Sequence, residues 1–308
     1  MSRGKSVVWA IDPWDKSGAP ALAEVRRLAR SARRSGLALV PVHVASFPEA
    51  LWEKGKVPPF PQIQQELERI LTHYAILHAA PVVVVDESGT RAGAVREFLH
   101  VARELRAEWI MVSSHGRSGA ARLMLGSFAE LLVSHSEVPL FFLPRESLRP
   151  GARSSRVALF PTDLSRAAHL AFTRFLSVAA SQHLEIAILH ELSLPIPNID
   201  PCLGPAAISG PLPGEEGALR EGARHAGALL VEEARVHGVK ARFTLDNGFH
   251  EISGDTLLAA ARREKARLIA MPSMSGPWMR LVAGSVAQKV FRRGGLPVCV
   301  YGPAALSA

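Results

Sequence analysis

The sequence predicts two doubly wound α/β domains in tandem, each with a parallel sheet covered by helices on both faces. One pattern of apolar runs and amphipathic segments occurs twice along the 308 residues, a length that suits two average domains. The apolar runs are nearly continuous rather than alternating, as expected of strands buried on both faces. Strand and helix patterns alternate, which favours parallel strands joined by right-handed crossovers.

The first half, which we assign to residues 1–146, follows the order βαβαβαβαβ. Its predicted strands are 7–11, 39–44, 81–85, 109–112 and 138–143. Its predicted helices are 19–35, 62–79, 92–107 and one that opens at Gly126 and Ser127. A Pro-rich loop at 46–61 follows the second strand, because proline fixes φ and removes a backbone donor.

The second half, assigned to residues 154–303, repeats this order after a linker-like segment at 145–155. Its predicted strands are 157–160, 186–190, 240–245, 268–271 and 296–301. Its predicted helices are 165–180, 215–237, 254–266 and one that opens at Gly284 and Ser285, and its Pro-rich loop is 194–214. We expect the closing strands 138–143 and 296–301 to dock the two halves together, since apolar edge strands need to be covered.

Composition narrows the class of protein. Hydrophobic residues make up 48% of the chain and charged residues 21%, so a sizeable core can form. Two cysteines, Cys202 and Cys299, supply neither a disulfide framework nor a cysteine zinc site. No apolar run approaches the roughly 20 residues of a membrane span. The first apolar run is short and ends before Asp12, which indicates a first strand rather than a secretory signal. We therefore expect a cytoplasmic protein.

The formal net charge of +8 raises the question of nucleic acid as a partner. The basic residues are scattered along helices, which favours a solvated helix face, as in Arg26, Arg27, Arg30, Arg33 and Arg34. No stretch interleaves them with aromatic residues or glycines, so we do not expect nucleic acid as a partner.

The loop after the fourth strand of the first half has the features of a phosphate cradle. His115 and Gly116 follow the strand, and Gly126 precedes a helix that starts at Ser127. The glycines allow close approach of the backbone, and the free amides and dipole of a helix start favour an anion. Arg117 adds positive charge beside the loop. An ordinary turn followed by an ordinary helix start is the alternative interpretation.

The stretch SSHGRSGAARLMLGSFAE resembles the signature of ATP-binding universal stress proteins, G-x2-G-x9-G-[S/T]. The resemblance extends over the whole chain and implies flavodoxin-like, HUP-type domains with strand order 3-2-1-4-5. It implies ATP as the ligand of the first half, with Mg²⁺ as its companion. It also implies these contact residues: Asp12, Val44, Ser113, His115, Gly116, Arg117, Gly126, Ser127, Phe128 and Ala129.

Two departures from the signature affect this expectation. Ser113 stands where the first glycine would be. In the second half Met271 and Met274 replace both early glycines, and we expect the methionine side chains to fill the space of a ribose or phosphate. Glu191 adds a charge where the adenine wall would be apolar. The second half is therefore predicted to be a degenerate site.

Other chemistry is not indicated. No H-x3-H or HExxH pair marks a metal site, and neither a G-x-S-x-G elbow nor a Walker motif is present. We expect His43 and His190 to be packed, hydrogen-bonded residues. Asp12 has an alternative role as a cap for the following helix.

Three functions remain open: a nucleotide-binding stress protein with little or no enzymatic activity, a slow ATPase, and an interaction protein that binds no nucleotide. The resemblance also implies docking of the halves as a pseudo-dimer, with an unidentified protein partner. Pairing of two chains into a homodimer is a further expectation.

Overall fold

The computed structural model describes residues 5–14, 19–46, 60–113, 127–144, 155–192, 215–246, 254–273, 290 and 295–307. The predicted loops therefore lie almost wholly outside the described residues. In the first half the elements are β1 (Ser6–Ala10), α1 (Ala19–Arg34), β2 (Ala38–Ser46), α2 (Phe60–His73), β3 (Val82–Asp86), α3 (Arg91–Glu104), β4 (Ala107–Ser113), α4 (Ser127–His135) and β5 (Leu140–Leu143).

The second half repeats the series and adds a short terminal helix. Its elements are β6 (Val157–Thr162), α5 (Arg166–Ser181), β7 (Glu185–Glu191), α6 (Glu215–Val236), β8 (Ala241–Asp246), α7 (Gly254–Arg263), β9 (Leu268–Pro272), β10 (Val298–Tyr301) and α8 (Pro303–Ser307). Each strand predicted from an apolar run corresponds to one of these ten strands.

The ten strands form one sheet in the order β3-β2-β1-β4-β5-β10-β9-β6-β7-β8. Within each half the neighbouring strands are parallel and follow the predicted order 3-2-1-4-5. The two halves meet where β5 and β10 pair antiparallel, with Cys299 opposite Phe141. The predicted pairing of the closing strands is therefore present.

The antiparallel junction places the carboxyl ends of the two sets of strands at opposite edges of the sheet. It also keeps equivalent helices on the same face. One core layer contains the buried residues of α1, α2, α5 and α6, and the other contains those of α3, α4 and α7. Each layer runs across the junction without a break, so the halves share both cores.

Four of the eight described helices are followed by a left-handed residue that is not glycine. Ala75, Arg106, His183 and Lys265 have φ between 50° and 51°. Each donates its amide to the carbonyl three residues earlier, as the Schellman motif requires. Because such positions usually carry glycine, the sequence predicted three helices too long: 62–79 ends at His73, 92–107 at Glu104 and 254–266 at Arg263.

The first strand of the second half is longer than predicted. Residues 157–160 were expected to be closed by Pro161, yet β6 continues through Pro161 to Thr162. The ladder between β6 and β9 covers only Ala158 and Leu159, so proline interrupts no hydrogen bond on that side.

The predicted solvated face of α1 is correct with one exception. Arg26, Arg30, Arg33 and Arg34 are exposed, whereas Arg27 is only partly exposed and pairs with Glu24. Among the described residues, none of the helices combines the length and the apolar character that crossing a membrane requires.

Candidate functional site

The crevice of the first half opens where the strand order reverses. β1 lies between β2 and β4, with Ala10 opposite both Val42 and Val112. The next residue, Ile11, donates its amide to the carbonyl of Val42 at 3.1 Å, so the chain stays beside β2 as β1 ends. Ligands of open α/β sheets bind at this switch point, outside the carboxyl ends of the strands.

Asp12 lies at the mouth of this crevice and is exposed. Its Oδ1 accepts the amide of Trp14 at 3.0 Å, which forms an Asx-turn directly after β1. The described part of α1 begins at Ala19, and the amide that Asp12 binds belongs to Trp14, so the bond seen here forms a local turn.

Val44 and His43 occupy opposite faces of β2 near its carboxyl end. Val44 is half-buried, pairs with Val84 of β3 and packs against the α3 and α4 layer. His43 is buried, and its Nδ1 lies 3.0 Å from the carbonyl oxygen of Ile11. Since a carbonyl accepts, Nδ1 carries the proton. This bond fastens β2 to the residue that follows β1, and the prediction of a packed, hydrogen-bonded histidine is confirmed.

α4 provides the predicted helix start. It begins at Ser127 and runs back toward the amino end of β5, so its free amides face the carboxyl edge of the sheet. Phe128 packs edge-on against Phe98 of α3, with ring centroids 6.0 Å apart. Phe128 and Ala129 are both partly buried. Phe128 thus anchors the first turn of α4 to α3.

The structure brings some of the predicted site residues to one edge and leaves others untested. Asp12 follows β1, Val44 lies two residues before the end of β2, and Ser113 ends β4, where it pairs with Leu143 of β5. Ser127, Phe128 and Ala129 form the start of α4. The remaining predicted contacts lie outside the described residues, namely His115, Gly116, Arg117 and Gly126.

The second half repeats the local geometry of the crevice at the opposite edge. Asp163 accepts the amide of Ser165 at 3.0 Å, as Asp12 accepts that of Trp14. His190 Nδ1 lies 2.8 Å from the carbonyl oxygen of Thr162, as His43 lies beside that of Ile11. These turns and bonds therefore belong to the framework of both halves.

The walls of the second crevice differ from those of the first. Glu191 follows His190 where Val44 follows His43, and it is buried. Met271 is 1% exposed and its side chain belongs to the core layer with α7. Its burial in the core differs from the expectation that it fills ligand space. Met274, Gly284 and Ser285 lie outside the described residues.

Sequence reasoning did not single out Asp86, a buried carboxylate at the end of β3. Asp86 is 1% exposed, and its Oδ1 accepts the amide and the hydroxyl of Ser88 at 3.0 and 2.6 Å. A Cβ at Gly93 of α3 would overlap the Ser88 hydroxyl, so the glycine permits this packing. The sequence does contain a signal for this residue, because Asp86 directly follows a run of four valines.

The described residues contain no group of three His, Cys, Asp or Glu side chains placed to hold a metal ion. The crevice of the first half instead combines an acidic residue, an apolar wall and a helix start.

Fold and site together define a tandem α/β protein of the doubly wound class with crevices at opposite edges of one sheet. The universal stress protein family model matches residues 5–144 and 155–302, and the chain belongs to that family.

Two solved structures resemble the chain along almost its whole length. A universal stress protein from Archaeoglobus fulgidus DSM 4304 has 17% identity and a TM-score of 0.59, covering 96% of each chain. A putative universal stress protein from Pseudomonas aeruginosa UCBPP-PA14 has 13% identity and a TM-score of 0.57, covering 99% of this chain and 94% of its own. At these identities the likeness concerns the fold.

A shorter universal stress protein from Archaeoglobus fulgidus was solved in complex with dAMP. It has 16% identity and a TM-score of 0.33, and it covers 47% of this chain and 96% of its own. The search of curated proteins gave no match.

Proposed function

We propose that this chain is an adenine-nucleotide-binding stress-response protein that holds ATP in the crevice of its first half. The observation that supports the proposal is that Asp12 follows β1, Val44 lies near the carboxyl end of the neighbouring β2, and α4 begins at the same edge of the sheet. Val44 offers an apolar wall for a base, Asp12 an acceptor for ribose hydroxyls, and α4 free amides for phosphates.

The second half is proposed to act as a scaffold rather than as a second ATP site. Its crevice repeats the Asp and His framework, but Glu191 stands at the position of Val44. A buried carboxylate there would repel nucleotide phosphates and would leave no apolar wall for a base. The proposed units remain residues 1–146 and 154–303.

Occupancy of the first crevice would set a conformation that a protein partner recognises. Mg²⁺ would accompany ATP, because it binds phosphate oxygens while keeping several of its waters. We name no general base and no nucleophile, so hydrolysis is at most slow. Pairing of two chains and a cytoplasmic location remain predictions from the sequence.

The first test is calorimetric titration of ATP with Mg²⁺ into the purified, nucleotide-free chain. We expect one ATP per chain in the wild type. Gly126→Trp should abolish binding, because a bulky side chain would occupy the predicted phosphate loop. Gly284→Trp, at the same position of the second half, is the matched control and should bind normally. Two ATP per chain would contradict the scaffold role, and no binding by a folded wild type would contradict the site.

Hydrolysis is tested separately by following phosphate release under saturating ATP. Turnover that exceeds that of Gly126→Trp would establish the slow ATPase as the correct alternative. Binding without turnover would support the proposal. A folded chain that binds no nucleotide would favour the third function, an interaction protein without a ligand.

A further inference from the structure

Arg267 lies at the junction of the two halves, immediately before β9. Its amide donates to the carbonyl of Val157 at 2.8 Å and its Nη1 to the carbonyl of Ser155 at 3.2 Å. Because β9 runs antiparallel to the strands of the first half, Arg267 lies at the edge where those strands end. The residue as a whole is partly exposed at this edge.

Two donors of this guanidinium lack a partner. Within the described part of the chain, Nε and Nη2 of Arg267 are buried and make no hydrogen bond. These two atoms form the side-on fork with which arginine binds two oxygens of a carboxylate or phosphate. Buried charged donors are costly when they are left unsatisfied. The fork therefore lacks two acceptor oxygens, which a phosphate or carboxylate group would supply.

The surrounding charge also favours an anion. Glu24 and Arg27 of α1, in the first half, both act electrostatically on Arg267. Glu24 is 4% exposed, and its Oε1 accepts both Nε, at 2.8 Å, and Nη2 of Arg27. The fork of Arg27 is thus satisfied, whereas that of Arg267 is not. Among the described residues, two guanidinium groups and one carboxylate interact here, which leaves one excess positive charge among these three.

The pKa of Arg267 agrees with this arrangement. Burial lowers the pKa of its guanidinium first, and the positive charge of Arg27 lowers it further, while Glu24 raises it. An anion bound beside Arg267, in addition to Glu24, would offset both the burial of the guanidinium and its repulsion by Arg27. It would supply hydrogen-bond acceptors and neutralise the excess charge.

We propose that Arg267 binds a small oxyanion, a phosphate or carboxylate group, through Nε and Nη2 at the junction of the two halves. The anion would reduce the repulsion between Arg27 and Arg267, which belong to different halves. Its binding would therefore stabilise the docked arrangement of the two halves. The site is separate from the proposed ATP crevice, because it involves α1 and β9 rather than the start of α4.

The test is thermal unfolding of the full chain, freed of ligands by dialysis, against increasing inorganic phosphate at constant ionic strength set with chloride. We expect a saturable rise of the unfolding midpoint, as for any ligand that binds only the folded state. A parallel series with acetate separates the two ligand classes. A rise with phosphate alone identifies a phosphate site, and a rise with acetate identifies a carboxylate site.

Variants assign the effect to the fork. Arg267→Gln should weaken anion binding about tenfold or more, since it removes a charge-assisted bidentate contact. Arg267→Lys keeps the charge and the fold but lacks the fork, and should weaken binding similarly. Arg26→Gln changes an exposed neighbour of Arg27 and should bind like the wild type.

Gly126→Trp separates this site from the nucleotide crevice. It should retain the response to phosphate even where it has lost ATP. A response that disappears in Gly126→Trp would assign the anion to the crevice and overturn the proposal. No rise beyond that seen with chloride, or an equal rise in Arg267→Gln, would overturn it as well.

Discussion

Gly302→Ala tests how the two halves are held together. Gly302 directly follows β10, and a Cβ built on it would overlap the carbonyl oxygen of Val133 and lie 3.0 Å from the carbonyl carbon. Val133 belongs to α4 of the first half and is 4% exposed. Because the opposing atoms are backbone within a packed helix, no side-chain rotation can relieve the overlap. Either α4 or the chain after β10 must move.

The cost follows from the kind of contact. Adding a methyl group to a well-packed core costs about 1–3 kcal/mol. Because the overlapping atoms at Gly302 are backbone atoms, which cannot rotate away, we expect a cost in the upper part of that range. For a folding unit of about 150–250 residues, each kcal/mol lost from the free energy of unfolding lowers the unfolding midpoint by about 2–4 °C. With about 2–3 kcal/mol lost, we therefore expect Gly302→Ala to lower the unfolding midpoint by about 4–12 °C.

The assay is thermal unfolding followed by circular dichroism and calorimetry. Calorimetry is needed because a chain of two units need not unfold in a single step. Gly222→Ala is the matched control, since a Cβ there has no heavy atom within 4 Å in α6. It should raise stability by about 0.4–1 kcal/mol, because alanine restricts the unfolded chain and favours helix. An unchanged midpoint for Gly302→Ala would refute the reasoning.

Two further predictions concern a helix cap and a buried thiol. Ser165→Ala should lower the free energy of unfolding, measured in urea, by about 1 kcal/mol, because Ser165 caps the start of α5. Ser181→Ala, at the exposed end of α5, is the control and should lower it less. Equal losses in the two variants would contradict the cap. Burial raises the pKa of the Cys299 thiol, so in a Cys202→Ser background it should not react with Ellman's reagent until the chain unfolds. Near its ordinary pKa of 9.0 only the unfolded chain releases this proton, so the contribution of Cys299 to stability is complete below pH 9.0 and falls as the pH rises beyond it. The pKa of the buried Tyr301 hydroxyl is also raised, which adds a loss above pH 10.0. Rapid labelling of the native chain, or alkaline stability unchanged by Cys299→Ser, would contradict this.

The helix ends show where prediction from the sequence reached its limit. Gly36 and Gly238 take a left-handed φ after α1 and α6, and both helices ended about where predicted. Ala75, Arg106 and Lys265 take the same conformation without glycine. A left-handed conformation costs these residues about 1–2 kcal/mol. The residues after Ala75 and Lys265, Ile76 and Ala266, are buried in the core, and the local sequence does not reveal such burial.

The candidate site was predictable to a similar degree. The positions of Asp12 and Val44 followed from the ends of apolar runs, because parallel strands bring their carboxyl ends to one edge. The Asx-turn of Asp12 and the bond from His43 to Ile11 required the structure, since both depend on the path of the chain after β1. The burial of Met271 in the core likewise depends on which face of β9 it occupies.

The sequence by itself determined the duplication, the ten strands and the order of elements in each half. Those features are local, because apolar runs and helical periodicity arise between residues close in the chain. Only the tertiary structure decided how the halves share two core layers, where Gly302 meets Val133, and that Arg267 lies beside α1. These contacts join residues more than a hundred positions apart, and their energies depend on the packed arrangement of both halves.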